Sequence, residues 1–389
     1  MSVSAPALSR IRWFLLVAWL PMLMSAPSMA DLSRKARLGE QLFLDTSLSE
    51  PPGQACASCH DPERFFTDPD DHEPTSEGVI PGRYGKRNAP TLMYAAPTPV
   101  FHFDRQEGLF IGGQFLDGRA PGLKSQAKQP FLEALEMNNP DPESVVAKVR
   151  VAGYADLFRR VYGKGSLDDG PAAFARIADA IAAFERTSRF APMTSKYDYY
   201  LMGKARFTAQ ERRGRELFES EDKGNCAACH PSRPANNGAN WPLFTDFTYD
   251  NLGVPRNRAN LFYTQAPEFN PQGFGFVDAG LGDHVKDRLE DGKFKVPTLR
   301  NIARTAPYMH NGYFKTLRGV VDFYNTRDLK PRCRDDWATE AQALREGCWP
   351  APEVAANVNH DELGKLGLTE REVDDLVAFL MTLTDGYQP

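Results

Sequence analysis

A chain of 389 residues is long enough for two ordinary domains, each with its own core. Hydrophobic residues at 42% and charged residues at 25% exclude an extensively disordered protein, while thirty prolines and thirty glycines predict long loops between short helices. The formal charge of −5 argues against a nucleic-acid partner and weakly favours cationic or neutral ones, although acidity also serves solubility alone.

The chain begins with Arg10 and Arg12, an apolar run over residues 13–24 broken by Pro21, and Ser28-Met29-Ala30. A charged start, a short apolar run and small residues are what a signal peptidase reads, so residues 1–30 are expected to be a cleaved export signal. A retained anchor is the competing reading, but the run is short against a span of about 20 residues. Losing two arginines and no acid takes the charge from −5 to −7. No later stretch is apolar enough to cross a bilayer, so no membrane span is expected after cleavage.

Next comes Arg37-Leu38-Gly39-Glu40-Gln41-Leu42-Phe43, which reads as a short amphipathic helix feeding the unit Cys56-Ala57-Ser58-Cys59-His60. A helix with Ile177, Ile181 and Phe184 at helical spacing closes this half, and residues 190–204, with Pro192 and Gly203, read as a boundary loop. The pattern then repeats. Arg213-Gly214-Arg215-Glu216-Leu217-Phe218 precedes Cys226-Ala227-Ala228-Cys229-His230, and a last helix carries Val373, Leu376, Val377 and Leu380 behind a Thr369/Glu372 capping box. The remaining cysteines, Cys333 and Cys348, are expected to form a disulfide in an oxidising compartment, stabilising by about 3 kcal/mol; two free thiols is the alternative.

Two cysteines separated by two residues reach both vinyl groups of one porphyrin, and the histidine that follows becomes an axial iron ligand. Zinc is the alternative, but it needs two further ligands per site. The histidine after each pair, the duplication and the export signal favour two covalent c-type haems, on Cys56, Cys59, His60 and on Cys226, Cys229, His230. The fold class is then mainly α, with two tandem cytochrome c-like domains over 31–190 and 191–389, each binding one haem. What fills the second axial position decides function: an open position admits peroxide, a methionine raises the potential, and a tyrosinate favours higher oxidation states.

Four further segments bear on that question: 87–91 (Arg-Asn-Ala-Pro-Thr), 112–120 (Gly-Gly-Gln-Phe-Leu-Asp-Gly-Arg-Ala), 294–301 (Phe-Lys-Val-Pro-Thr-Leu-Arg-Asn) and 305–312 (Thr-Ala-Pro-Tyr-Met-His-Asn-Gly). In this order around two haem motifs, the chain resembles the bacterial dihaem cytochrome c peroxidases, and more closely the MauG branch of that superfamily, over nearly all its mature length. The resemblance implies a periplasmic enzyme. It implies that Tyr324, fourteen residues beyond His310, is the second iron ligand with His230, where the peroxidase branch has methionine. An ordinary packing role for Tyr324 remains the alternative, and Met309 and Met381 do not match the family position. The haem at His60 would be peroxide-reactive, with Gln126, Pro130 and Glu136 lining its distal pocket; a carboxyl beside bound peroxide can move a proton between its oxygens. A solvated Glu136 is the bland reading. His72 is a weak candidate for a loop ligand over this iron. A calcium ion is implied at Asn88 with the Thr305 and Pro307 carbonyls. His102, His284, His310 and His360 read as structural, His310 being the one to expect near a haem propionate.

The chain departs from the pattern at two places. Leu116 stands where the family has an inter-haem tryptophan before Asp-Gly-Arg, and Gly224 stands where the MauG branch has a surface tryptophan. Trp241, Trp337 or Trp349 could substitute, but sequence alone does not place them. The preferred reading is a MauG-like enzyme that uses hydrogen peroxide to form high-valent haem iron and oxidise a protein substrate. The alternatives are a cytochrome c peroxidase drawing electrons from a small cytochrome or cupredoxin, and a plain electron carrier.

Overall fold

The computed structural model describes residues 1, 32–70, 73–234 and 241–389; the expected signal segment, Met1 apart, and His72 lie outside them. Among these residues the chain is mainly helical. The first half carries α1 (Arg34–Leu44), α2 (Cys56–Cys59), a ribbon of β1 (His102–Asp104) and β2 (Leu109–Ile111), then α3 (Leu123–Gln126), α4 (Gln129–Leu132), α5 (Pro142–Val151), α6 (Ala155–Tyr162) and α7 (Gly170–Glu185). The rest carries α8 (Lys196–Leu201), α9 (Ala209–Glu219), strand β3 (Tyr249–Asp250), α10 (Leu281–Val285), strand β4 (Phe294–Lys295), α11 (Leu317–Thr326), α12 (Glu340–Glu346) and α13 (Glu370–Met381). Both ribbons are antiparallel, pairing Phe103 with Phe110 and Tyr249 with Lys295. No helix among the described residues is long and apolar enough to cross a membrane.

The repeat in the sequence becomes a repeat in packing. Helix α1 starts at Ser33, whose hydroxyl accepts from Ala36 N at 3.1 Å, and buries Leu38, Leu42 and Phe43 against α7. At the crossing, a Cβ on Gly39 would lie 2.0 Å from Ala180 O, so only glycine lets the backbones approach. Helices α9 and α13 cross the same way at Gly214, where a Cβ would lie 1.9 Å from Asp375 O. The Thr369/Glu372 capping box forms as expected and opens α13.

One apolar cluster joins α1, α5, α6 and α7 through Phe43, Val146, Phe158, Ile177 and Phe184, and it also takes Leu243 and Phe247 from beyond residue 190. A second gathers Phe218, Phe244, Leu376 and Phe379, and a third surrounds Trp349 with Phe314, Phe323 and the Cys333–Cys348 disulfide, which forms. Buried polar links run between distant segments. Arg300 and Asp198 pair at 2.9 Å with both side chains fully buried, and Asp385 accepts from Tyr94, Thr194 and Asn301 at 2.8 Å each. Arg87 clamps Asp117 and Asp278 at 2.6 Å, which gives two of the sequence segments a structural task. The stretch expected as a boundary loop contains α8, because Ser195 and Asp198 build a capping box that starts a helix there.

Candidate functional site

Both Cys-x-x-Cys-His units fold as single helical turns. At the first, Ala55 N donates to Ser58 Oγ at 3.0 Å and His60 N to Cys56 O at 3.0 Å. At the second, Cys226–Ala228 forms a 3₁₀ turn and His230 N donates to Cys226 O at 2.9 Å. The imidazoles are held alike: His60 Nδ1 meets Phe66 O at 3.1 Å and His230 Nδ1 meets Phe244 O at 2.8 Å. A carbonyl only accepts, so Nδ1 carries the proton and each Nε2 keeps its lone pair for a metal. Burial lowers both histidines to about 4, so both rings are neutral, the form that ligates. Burial pushes the Cys56, Cys59 and Cys226 thiols up to about 12 and raises Cys229 too; they are neutral until attachment consumes them.

Around the second turn lies an open cavity bounded by Cys226, Cys229, His230 and Tyr324. Leu116, Phe218, Val296, Leu317, Val321 and Leu380 make its walls apolar. An apolar cavity with two thiols and a free imidazole nitrogen fits a haem. A zinc site would need Cys226, Cys229 and His230 to cluster with further ligands, whereas among the described residues the clustered ligand atoms are those of Cys229, Asp250 and Glu362. Tyr324, on α11, shares the cavity with His230, and burial, reinforced by Cys229 and Cys226, raises its phenol above the usual range.

The first turn has a different neighbourhood. Glu136 and Glu185 both act electrostatically on Cys56. Burial, with Glu133 adding and Arg119 opposing, raises Glu136 to about 7. Burial raises Glu185 to about 8; it is 4% exposed and its Oε2 has no partner. Pro130 and Glu136 sit on one chain reversal, closed by Met137 N donating to Pro130 O at 3.2 Å and Val79 N to Glu136 O at 2.9 Å. Gln126 ends α3 just before it, half-buried.

Asn88, Thr305 and Pro307 all line the second cavity, and Asn88 Nδ2 donates to Pro307 O at 2.6 Å. That contact shows an amide N–H where an ion would need the amide oxygen, so calcium requires the Asn88 amide to turn. The remaining histidines have protein partners: His102 with Val100 O, His284 edge-on to Phe101, His360 with Asp328, and His310 with Glu353 at 3.0 Å. Leu116 lines the second cavity. Gly224 has φ +84°, and a Cβ there would lie 2.2 Å from Leu217 O, so this backbone has no room for the tryptophan of the MauG branch.

Sequence reasoning missed Glu185, Lys295 and Glu353. Glu185 interrupts the apolar face of α7 one residue after Phe184, a signal that was readable. Lys295 is half-buried, donates to Gly113 O at 2.5 Å and is lowered to about 8 by desolvation, with Asp117 opposing. No local pattern pointed to Glu353.

Residues 33–206 match the family described as di-haem cytochrome c peroxidase. The chain is 42% identical to the methylamine utilization protein MauG of Paracoccus denitrificans, over 96% of each chain. It is 33% identical to a cytochrome-c peroxidase of Denitromonas iodatirespirans, over 74% of this chain and 72% of that one. The crystal structure of the diheme peroxidase BthA from Burkholderia thailandensis superposes with a TM-score of 0.76 at 34% identity, covering 90% of this chain and 86% of that one. The chain belongs to the di-haem cytochrome c peroxidase family, which implies two haems; its two Cys-x-x-Cys-His turns fit covalent attachment. It is an oxidoreductase of the haem peroxidase type.

Proposed function

We propose that this protein is a periplasmic, MauG-like oxidase that uses hydrogen peroxide to oxidise a protein substrate, built as two tandem cytochrome c units over 31–190 and 191–389 with residues 1–30 removed on export. The observation that carries it is that Tyr324 and His230 share one cavity while a half-buried carboxyl, Glu136, stands near the other attachment turn. Two bound haems would supply iron that peroxide oxidises by two equivalents. The protein's own residues do the rest. His60 and His230 offer Nε2, fixed in direction by the carbonyls of Phe66 and Phe244. Tyr324 closes the second site against peroxide. Glu136, raised to about 7, can give and take a proton near neutral pH, while Gln126 and Pro130 shape the space beside it. A calcium ion at Asn88, Thr305 and Pro307 would bind after the Asn88 amide turns.

One observation favours the second reading, a peroxidase fed by a small cytochrome or cupredoxin: the glycine forced at 224 removes the MauG branch's tryptophan exit. Titration separates the two. The fully oxidised holo-protein should take up one equivalent of hydrogen peroxide unaided and then oxidise two equivalents of a one-electron donor. A requirement for prior one-electron reduction would favour the conventional peroxidase.

A further inference from the structure

If Leu116 cannot be oxidised and Gly224 carries no side chain, electrons need another way between the second cavity and the surface. A line of contacts supplies one. Phe294, His310 and Glu353 line the cavity. His310 stacks on Phe294 with centroids 3.9 Å apart, and its Nε2 meets Glu353 Oε2 at 3.0 Å. The other oxygen, Glu353 Oε1, accepts from the Tyr263 hydroxyl at 3.5 Å. The Tyr263 ring, 3% exposed, meets Trp337 edge to face with centroids 5.3 Å apart. Trp337 is half-buried, packed 6.0 Å from Phe274, which is 57% exposed. The two most readily oxidised ring types thus stand in contact, one against a cavity-lining carboxylate and the other at the surface.

We propose that Tyr263 and Trp337 form an electron relay from the surface to the haem site at His230. The relay rests on the peroxide-dependent function proposed above, with hydrogen peroxide as oxidant. One electron leaves Tyr263 for the cavity, and the phenolic proton moves along its hydrogen bond to Glu353 Oε1. Trp337 then gives one electron to Tyr263, and the proton returns from Glu353 to the phenol oxygen. The half-exposed indole releases its N–H proton to water, and an external one-electron donor refills it with return of a proton. Two such electrons and two protons reduce one hydrogen peroxide to two waters.

Other tryptophans serve less well. Trp349 reaches Tyr324 through Phe323, at centroid distances of 5.2 and 6.3 Å, but it is fully buried. Lys330 lies 5.0 Å above its ring, opposing positive charge, and its indole N–H is tied to Thr326 Oγ1 at 3.0 Å. Arg256 also lies over Trp337, at 5.5 Å, and disfavours a charged ring there. Because Trp337 reaches solvent, loss of the indole proton relieves that opposition; Trp349 has no such outlet.

The test uses the holo-protein treated with hydrogen peroxide without donor, following the return of the haem spectrum and mapping oxygen addition by peptide mass spectrometry. Oxygen should appear first at Trp337. Trp337→Phe should remove it and slow the return about tenfold, the change that ~1.4 kcal/mol on a barrier gives. Trp337→Tyr, which has the phenylalanine ring plus one hydroxyl and is oxidisable, should restore the rate, which loss of packing would not explain, and Trp241→Phe should change nothing. Haems that react while Trp337 stays unmodified and Trp337→Phe decays at the wild-type rate would overturn the relay alone. Haems that do not react with peroxide would overturn the proposed function and the relay together.

Discussion

The two attachment turns share a scaffold and differ in their surroundings. Each has a neutral imidazole tied through Nδ1 to a carbonyl, and each lies beside a helix pair crossed at a glycine. Beside Cys56 stand the half-buried Glu136 and the buried Glu185, whereas the cavity around Cys226 has largely apolar walls and holds Tyr324, with Asp250, Asp278, Glu353 and Glu362 among its lining. Duplication preserved what attaches a haem and left free what decides its reactivity.

The largest effect is expected where the halves are alike. Gly39→Val and Gly214→Val would each force a Cβ to within 2.0 Å of a backbone oxygen or closer, and each should cost well above about 3 kcal/mol in urea unfolding. A mild effect at one glycine only would break the structural equivalence. Arg87→Ala comes next. It leaves Asp278 as a buried carboxylate without its ion-pair partner, while Asp117 keeps Arg119 at 3.0 Å, and should cost about 3–5 kcal/mol, with loss of order on the Asp278 side of the clamp.

Glu185 sharpens the contrast through pH. Its folded value, about 8, lies above the ordinary 4.5, so the fold binds its proton more tightly than the unfolded chain does. This stabilisation is complete below about 4.5 and is lost as pH rises through about 8. Glu185→Gln should therefore be near neutral at acid pH and stabilising above pH 8, by on the order of 2–4 kcal/mol. Equal destabilisation at both pH values would show that the carboxyl has a partner when haem is bound. The smallest effect is expected from Leu116→Trp, which places an oxidisable ring on the cavity wall and should speed electron exchange between the haems. An unchanged rate would mean that exchange does not pass this wall.

Attachment, duplication, the last helix and its cap, and the disulfide pair were legible because each depends on residues close in sequence or on cysteine chemistry. Helix α8 was hidden by Pro192 and Gly203, which flank a capping box inside an apparent loop. The absence of a tryptophan at 224 was visible, but its reason was not: it depends on the carbonyl of Leu217, which only folding brings near. Likewise Trp337 stood in a polar segment with nothing nearby to link it to Tyr263, 74 residues earlier.

The central claim is that one haem has an open position and the other is closed by Tyr324. Electron paramagnetic resonance of the fully ferric holo-protein, before and after one equivalent of hydrogen peroxide, tests it most directly. The account predicts one high-spin and one low-spin signal, both lost promptly without a radical matching them in amount. Signals that persist until the protein is partly reduced would contradict it and would remove Tyr324 from the iron.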